Sequence, residues 1–243
     1  MVIVTAAADG IGAATAAVFA DEGYRVVLAD IDPARLAATT STLQKRADVT
    51  SICGDVTTEA GAAAIVDYAV QTCGALDALV NVVGGSRPGK TVVDLALGEW
   101  NTLLSLNLTS VFLMSRVAIP HLVQRGGGAI VNVSSGAGLR GMNANPGYCA
   151  AKAGVVALTR AMAIDHSASG VRVNCVAPGP IRTPLMERNR TPTEIAAMGS
   201  IALAGRIGEP DEIARVIAWL ASDASSYVVG QTVEVDGGVA API

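Results

Sequence analysis

The sequence predicts a doubly wound α/β fold, with a parallel sheet of about seven strands and helices on both of its faces. Short runs rich in β-branched residues alternate along the chain with longer stretches rich in alanine and leucine, which is the pattern of βαβ units. Hydrophobic residues make up 51% of the 243 residues, so the predicted strands are strongly apolar. Strands of this kind are usually covered on both faces. No inter-domain linker is visible, so we expect one domain over residues 1–243.

Four strands and three helices are predicted in the first part of the chain. The strands, which are short and mostly apolar, are Met1–Thr5, Arg25–Asp30, Val49–Cys53 and Ala78–Asn81. The helices between them are Gly10–Glu22, Pro33–Lys45 and Glu59–Thr72. Gly23 suits the residue just past the end of the first helix, and Asp32 suits the N-cap of the second.

The second part of the chain continues the alternation. The predicted helices are Asn101–Gln124, bent or interrupted near Pro120, then the alanine-rich Tyr148–His166, and Glu212–Ala221. The predicted strands are Ala129–Ser134, Val171–Ala177 and Thr232–Val235. The segment Thr183–Arg206 has a weak apolar face and two prolines, so we expect a mobile substrate flap with a short helix at Pro192–Met198.

Charge and composition exclude several classes of function. The net charge of −4 and the lack of a lysine and arginine cluster argue against a nucleic-acid partner. The longest charge-free run, Trp100–Ser115, is polar in part and shorter than a membrane span needs. The first residues show no signal-peptide pattern, which favours a cytoplasmic location. Four cysteines without a C-x-x-C pair, and only two histidines, predict no metal site.

Glycines directly after the first strand predict a phosphate-binding loop. Gly10 and Gly12 let the backbone approach a ligand closely, and the following helix N-terminus offers unpaired N–H groups. Asp30 ends the second strand, where a carboxylate binds the adenosine ribose of a dinucleotide in a Rossmann fold. Because a carboxylate repels a 2′-phosphate, we predict NAD(H) rather than NADP(H). The alternative interpretation is that Asp30 and Asp32 are ordinary loop and cap acids.

A phenol and an ammonium lie four residues apart at Tyr148 and Lys152, and therefore on one side of the predicted helix. A nearby ammonium favours the phenolate, so we expect it to lower the pKa of Tyr148 and to suit this residue for proton transfer. Ser135 follows the fifth strand, at the sheet edge where ligands bind, and its hydroxyl is placed to polarise a carbonyl. The alternative interpretation is a packed tyrosine and a solvated lysine.

These pieces together resemble the short-chain dehydrogenase/reductases over essentially the whole chain. The matching segments are Thr5–Gly12, Asp30, Gly54–Val56, Asn81–Gly84, Asn107, Ile130–Ser135, Tyr148 with Lys152, Asn174 and Pro178–Thr183. Each segment is common by itself, but the set in this order and spacing is specific. The resemblance implies an oxidoreductase that interconverts a secondary alcohol and a ketone, with a small-molecule substrate. It also implies a homo-oligomer, usually a tetramer, packed through the helices near 101–124 and 148–168.

The resemblance also implies a role for each matching residue. Tyr148 would be the general acid/base, and Lys152 would hold the nicotinamide ribose and tune Tyr148. Ser135, 13 residues before Tyr148, matches the substrate-orienting serine of the family better than Ser134 does. Asn107 would lie at an irregularity of its helix and help to hold a proton-relay water. The expected cofactor-binding residues are Asp9, Gly10, Ile11, Gly12, Asp30, Ile31, Asp55, Val56, Asn81, Val83, Gly84, Tyr148, Lys152, Pro178, Gly179, Ile181 and Thr183.

Two residues depart from the family pattern. Ala6 stands where the family has a glycine, and its methyl group is expected either to crowd the adenosine ribose or to demand a backbone conformation that L-residues disfavour. Val82 stands where the family has an asparagine. Two other functions stay open. An NADPH-dependent 3-oxoacyl thioester reductase shares the same scaffold, and the departures at Ala6 and Val82 favour a non-catalytic dinucleotide-binding regulatory protein.

Overall fold

The computed structural model describes residues 1–241, and in it seven parallel strands form one sheet. The strands are β1 Val2–Thr5, β2 Val26–Asp30, β3 Val49–Cys53, β4 Ala78–Asn81, β5 Gly128–Val133, β6 Val171–Pro178 and β7 Thr232–Val235. Their order across the sheet is β3-β2-β1-β4-β5-β6-β7. The order reverses between β1 and β4, which opens a crevice at the carboxyl ends of these two strands.

Ten α-helices connect and cover the strands within residues 1–241. They are α1 Gly10–Asp21, α2 Pro33–Leu43, α3 Glu59–Cys73, α4 Leu97–Leu104, α5 Ser110–Arg125, α6 Gly136–Arg140, α7 Pro146–His166, α8 Pro184–Asn189, α9 Pro192–Ser200 and α10 Pro210–Ala221. A π-helical turn, Ser105–Thr109, joins α4 to α5 without a break. The doubly wound parallel sheet that the sequence predicts is confirmed.

The sheet separates two aliphatic layers of the core. Alternate residues of each strand point to opposite faces: Val2, Val4 and Leu28 belong to one layer, and Ile3 and Val27 to the other. Helices α1, α2 and α10 cover the first layer, whereas α3, α5 and α7 cover the second. The loops at the carboxyl ends of the strands are left free of this packing and form the site.

The long helix in the middle of the chain differs from its prediction. It begins at Leu97 rather than Asn101, runs through Pro120 as α5, and changes its hydrogen-bond pattern at Ser105–Thr109 instead. The predicted interruption near Pro120 is therefore wrong. The cause of the irregularity is Asn107, whose Nδ2 donates to the Leu103 carbonyl at 3.0 Å and competes with the helix backbone for it.

Three shorter segments also differ from prediction. The 183–206 segment holds two helices, α8 and α9, because Thr183 and Thr191 each cap a helix that begins with proline. Helix α10 begins at Pro210, two residues early, where Glu209 N donates to Glu212 Oε2 at 2.8 Å in a capping box. Helix α6 is not predicted, since its glycine-rich sequence resembles a loop; Ser135 caps it.

The continuous helix Leu97–Arg125 is long and apolar enough to cross a membrane by length and composition. Its inner face, which includes Leu113, Met114 and Leu122, is buried against the sheet. This arrangement is that of a core helix in an α/β layer, which passes the same test.

Candidate functional site

The loop between β1 and α1 is closed so tightly that glycine is required in it. A Cβ atom on Gly12 would lie 2.0 Å from the Ala6 carbonyl oxygen, and Gly10 has a φ of +57°. Asp9 is the N-cap residue of α1, yet its side chain makes no capping bond, so the first N–H groups of the helix stay free of it. Ile11 packs partly against the core. This loop can hold a phosphate by its backbone, as the sequence predicts.

The residue Ala6 takes the left-handed conformation, with a φ of +52°, at the position where the family has glycine. This conformation costs a residue with a Cβ atom about 1–2 kcal/mol. We expect Ala6→Gly to raise the free energy of unfolding by about 0.5–1 kcal/mol, after the entropy cost of the added glycine. Urea denaturation measures this change. The neighbouring Ala7, buried with an ordinary φ, gives the control, because Ala7→Gly is expected to destabilise. A lower free energy of unfolding in Ala6→Gly would show that the left-handed conformation of Ala6 does not destabilise the protein.

The Asp30 carboxylate lies beside the phosphate loop. Its Oδ2 accepts a hydrogen bond from Ala8 N and its Oδ1 accepts one from Asp32 N, both at 3.0 Å. Ile31, directly after it, is exposed at the same edge of the sheet. Sequence reasoning missed Arg35, whose guanidinium bonds Asp9 Oδ2 and Asp32 Oδ2, each at 2.7 Å. The i,i+3 spacing of Asp32 and Arg35 is the signal that could have indicated it.

Several predicted cofactor residues turn their side chains into the core rather than toward the crevice. Val56 and Ile181 are buried among apolar side chains. Asn81 is buried as well, and its Nδ2 donates to Asn132 Oδ1 at 2.9 Å. The Asp55 carboxylate accepts bonds from the backbone and hydroxyl of Thr57. These four residues can line a ligand only by their backbone or by the outer atoms of Asp55.

Helix α7 brings Tyr148 and Lys152 to the carboxyl end of β5. Lys152 is buried, its Nζ donates to the Val133 carbonyl at 2.8 Å, and it lies 5.9 Å from the centre of the Tyr148 ring. Ser135 is half-buried, its hydroxyl accepts a hydrogen bond from Ala137 N at 3.2 Å, and it lies near enough to Tyr148 to lower the pKa of that phenol. Ser134 instead donates to the Lys152 carbonyl at 2.7 Å inside the protein. Of the two serines, Ser135 is thus the one at the site, as the spacing to Tyr148 predicts.

The acid–base properties of this group differ from the sequence expectation. Burial raises the pKa of Tyr148, and the nearby Ser135 hydroxyl offsets this only in part. The expected lowering of this pKa by Lys152 is therefore wrong for the protein without its ligands. Burial also lowers the pKa of Lys152 to about 8, because an ammonium loses its hydration there. Both groups hold their protons at neutral pH.

Asn107 connects this group to the loop after β4. Its Oδ1 accepts from Gly85 N and its Nδ2 donates to the Gly85 carbonyl, both at 3.0 Å. A Cβ atom on Gly84 would lie 2.8 Å from Asn107 Oδ1 and 2.8 Å from Lys152 Nζ. Val83, before it, packs partly against the core. Glycine at this point leaves a cradle between an amide oxygen and an ammonium, which fits a hydroxylated ligand such as a ribose.

The segment after β6 closes the other side of the crevice. Pro178 ends β6, and Gly179 lies so close to Asp236 that a Cβ atom would be 2.7 Å from its Cα. Thr183 caps α8 and approaches the phosphate loop, with its Cγ2 3.3 Å from where a Cβ on Gly10 would be. Pro178 and Thr183 thus lie at the same edge of the sheet as the phosphate loop. No group of three metal-ligating side chains occurs within residues 1–241.

Comparison with known proteins gives a consistent result. A family model described as Enoyl-(Acyl carrier protein) reductase matches residues 5–240. The chain is 41% identical to cis-4-hydroxycyclohexanecarboxylate dehydrogenase of Sinomonas cyclohexanicum, over 98% of this chain and 96% of that protein. It is 37% identical to meso-2,3-butanediol dehydrogenase of Serratia marcescens, over 99% and 94%. It is 38% identical to 3-oxoacyl-[acyl-carrier-protein] reductase FabG of Thermotoga maritima, over 98% and 96%.

Solved structures agree. The crystal structure of a putative short-chain dehydrogenase/reductase from Burkholderia xenovorans superposes with a TM-score of 0.95 at 36% identity, covering 100% of this chain and 97% of that one. The glycine cradles and the Ser135, Tyr148 and Lys152 group fit a nicotinamide dinucleotide, the cofactor of this family. The chain belongs to the short-chain dehydrogenase/reductase family, as an oxidoreductase that acts on the CH–OH group of a small molecule and interconverts a secondary alcohol and a ketone.

Proposed function

We propose that this protein is an NAD-dependent dehydrogenase and that Tyr148, Lys152, Ser135 and Asn107 form its catalytic group. The observation that carries the proposal is that Asn107 and Lys152 meet at Gly84, while the Tyr148 ring lies 5.9 Å from Lys152 Nζ and Ser135 lies beside Tyr148. NAD is favoured over NADP because the Asp30 carboxylate stands beside the phosphate loop and the nearby Arg35 is paired with two other carboxylates.

The residues act by orientation and proton transfer. In alcohol oxidation, Tyr148 acts as a base once its phenol, which is protonated at neutral pH in this structure, has released its proton. The phenolate then accepts the hydroxyl proton, while the Ser135 hydroxyl donates to the oxygen that becomes a carbonyl. Lys152 contributes positive charge beside the phenol, and Asn107 fixes the loop at Gly85 that borders the cradle. When bound, the dinucleotide supplies nicotinamide C4 as the acceptor or donor of the hydride. In ketone reduction the same phenol returns the proton.

The dinucleotide would lie along the carboxyl ends of the strands, held mainly by backbone groups. We assign its binding to the phosphate loop Asp9, Gly10, Ile11 and Gly12, to Asp30 and Ile31, and to the segments that follow β3, β4 and β6. In the last group these are Asp55, Val56, Asn81, Val83, Gly84, Pro178, Gly179, Ile181 and Thr183. The close approach of Thr183 to Gly10 supports a site enclosed from both sides.

Calorimetric titration with NADH and with NADPH tests the choice of cofactor. The same titrations of Asp30→Ala test whether the Asp30 carboxylate determines that choice. We expect the wild type to prefer NADH. The variant loses a charge-assisted acceptor for the ribose hydroxyls and a repulsion against the 2′-phosphate, so the preference should fall by about tenfold or more. Asp48→Ala is the control, since this exposed carboxylate pairs with Arg25 at the opposite edge of the sheet. An unchanged ratio of affinities in Asp30→Ala would exclude this role for Asp30.

A second candidate function is an NADPH-dependent 3-oxoacyl thioester reductase. The FabG protein of Thermotoga maritima, which is 38% identical, favours it. Asp30 opposes it, since a 2′-phosphate would meet this carboxylate. A screen of secondary alcohols with NAD is run beside an assay of a 3-oxoacyl thioester with NADPH. The pair of substrate and cofactor that is converted identifies the function.

We also propose that residues 1–241 act as one catalytic unit within a homo-oligomer, with a tetramer as the expected form and a cytoplasmic location. Exposed apolar side chains on the helices that the sequence assigns to packing between subunits support association. They include Phe112 on α5, 45% exposed, and Ile164 on α7, 80% exposed. Sedimentation of the purified protein tests the oligomeric state.

A further inference from the structure

Asn145 carries a buried amide oxygen that lacks a partner. The residue is the N-cap of α7 and is 1% exposed, but its side chain does not cap the helix. Its Oδ1 has no hydrogen-bond partner within the described part of the chain, residues 1–241. Asparagine is a strong capping residue, and an unpaired buried acceptor is costly. The side chain therefore makes no capping bond, and its oxygen remains an unpaired acceptor. An unpaired buried acceptor of this kind is suited to binding a ligand.

The position of Asn145 is next to the proposed reaction centre. Asn145, Tyr148 and Lys152 follow the spacing i, i+3, i+7, which places them on one side of the first turns of α7. The carbonyl of the preceding Ala144 accepts hydrogen bonds from Gly89 N at 2.8 Å and Lys90 N at 3.2 Å. Asn145 thus lies beside the loop that follows β4, three residues before Tyr148 at the start of α7.

The orientation of the amide determines what it can recognise. Its Nδ2 lies 3.4 Å from the Met142 sulfur, a weak acceptor, so the amino group is turned to the thioether and the oxygen to the opposite side. An amide oxygen accepts hydrogen bonds and cannot bind a carboxylate. Met142 is 46% exposed and has a flexible side chain, so the amino group is held only by a weak and movable partner.

We propose that Asn145 is a specificity-determining residue whose Oδ1 accepts a hydrogen bond from a second hydroxyl group of the substrate. The substrate class is then a vicinal diol in oxidation and the corresponding hydroxyketone in reduction. This inference rests on the proposed function, because it takes Tyr148 as the group that receives the proton of the reacting hydroxyl.

The test compares two alcohols with the same carbon skeleton, butane-2,3-diol and butan-2-ol, with NAD as oxidant. We expect the wild type to have the higher kcat/KM for the diol. Asn145→Leu keeps the approximate shape but removes the acceptor, and should lower the kcat/KM for the diol by about ten- to a hundredfold while changing that for butan-2-ol little. Asn143→Leu, the same substitution at an exposed position of the same loop, is the matched control and should keep the ratio.

Thermal unfolding without substrate gives a second readout, independent of activity. If the amide is held free for a ligand, Asn145→Leu removes an unpaired buried acceptor and should leave the Tm unchanged or higher. A Tm lowered by several degrees would instead show a structural role and overturn the inference. A wild type that prefers butan-2-ol, or an Asn145→Leu variant that keeps the diol preference, overturns the inference but not the dehydrogenase. Failure to oxidise any secondary alcohol with NAD overturns both.

Discussion

Tyr148→Phe should lower kcat for secondary alcohol oxidation by about a hundredfold to ten-thousandfold, the usual contribution of a general acid or base. The variant keeps the ring that lies 5.9 Å from Lys152 Nζ and removes only the hydroxyl group that exchanges the proton. Because dinucleotide binding is assigned mainly to backbone groups of other loops, the affinity for NADH should change little. Steady-state kinetics and a calorimetric titration of the same preparation separate the two effects.

The control for this prediction is Tyr227→Phe, which removes the same hydroxyl from a fully exposed side chain. It should turn over at the rate of the wild type. A Tyr148→Phe variant that retains turnover within a fewfold of wild type would remove Tyr148 from the mechanism. If the Tyr148→Phe variant lost both NADH binding and turnover, the hydroxyl group would have a structural role.

Lys152→Met should abolish most of the activity and yet stabilise the fold at neutral pH. Burial lowers the pKa of Lys152 from 10.5 to about 8, so keeping the ammonium charged costs the folded protein free energy. This difference corresponds to about 3 kcal/mol. Loss of the hydrogen bond to the Val133 carbonyl offsets about 1 kcal/mol of the gain. The net expectation is a free energy of unfolding higher by about 1–3 kcal/mol at pH 7.

The pH dependence of the free energy of unfolding tests whether the stabilisation by Lys152→Met comes from the buried charge. The folded pKa of Lys152 lies below its unfolded value, so the cost of the charge is complete below pH 8 and disappears as the pH rises toward 10.5. Urea denaturation at several pH values should therefore show the advantage of Lys152→Met at pH 7 and its loss near pH 10. Lys45→Met, at an exposed lysine, is the control and should show no such trend. A variant less stable than wild type at pH 7 would refute the argument.

Local sequence signals predicted the sheet well. The bounds of β3, β4 and β7 agree with the predicted strands at every residue, because each is a short run rich in β-branched or aliphatic residues between clear turn signals. The helices were less accurate where a contact distant in sequence decides the geometry. The irregularity of the long helix lies at Asn107, as the family resemblance implies, and not near Pro120; no helix propensity indicates the bond from Asn107 to the Leu103 carbonyl that accompanies it.

The site shows the same division between local and tertiary information. Spacing selected Ser135 over Ser134, and the structure places Ser134 on an internal carbonyl. The direction of the Tyr148 pKa could not be predicted, because it depends on how deeply the ring is buried, which is a property of the whole fold. Asn145 was missed for a related reason: an asparagine before a helix indicates a cap, and only the packed structure reveals that its oxygen caps nothing.

The π-helical turn at Ser105–Thr109 has a consequence for how one helix contacts two partners. A π turn adds one residue to the helical repeat and so rotates the later turns by about 100° relative to a regular α-helix. Leu103, before the π turn, packs at Gly147 on α7, whereas Leu113 and Met114, after it, pack in the layer that contains α3. Removing the extra residue would rotate the later half of the helix relative to the earlier half, so Leu103, Leu113 and Met114 could not all keep their present contacts.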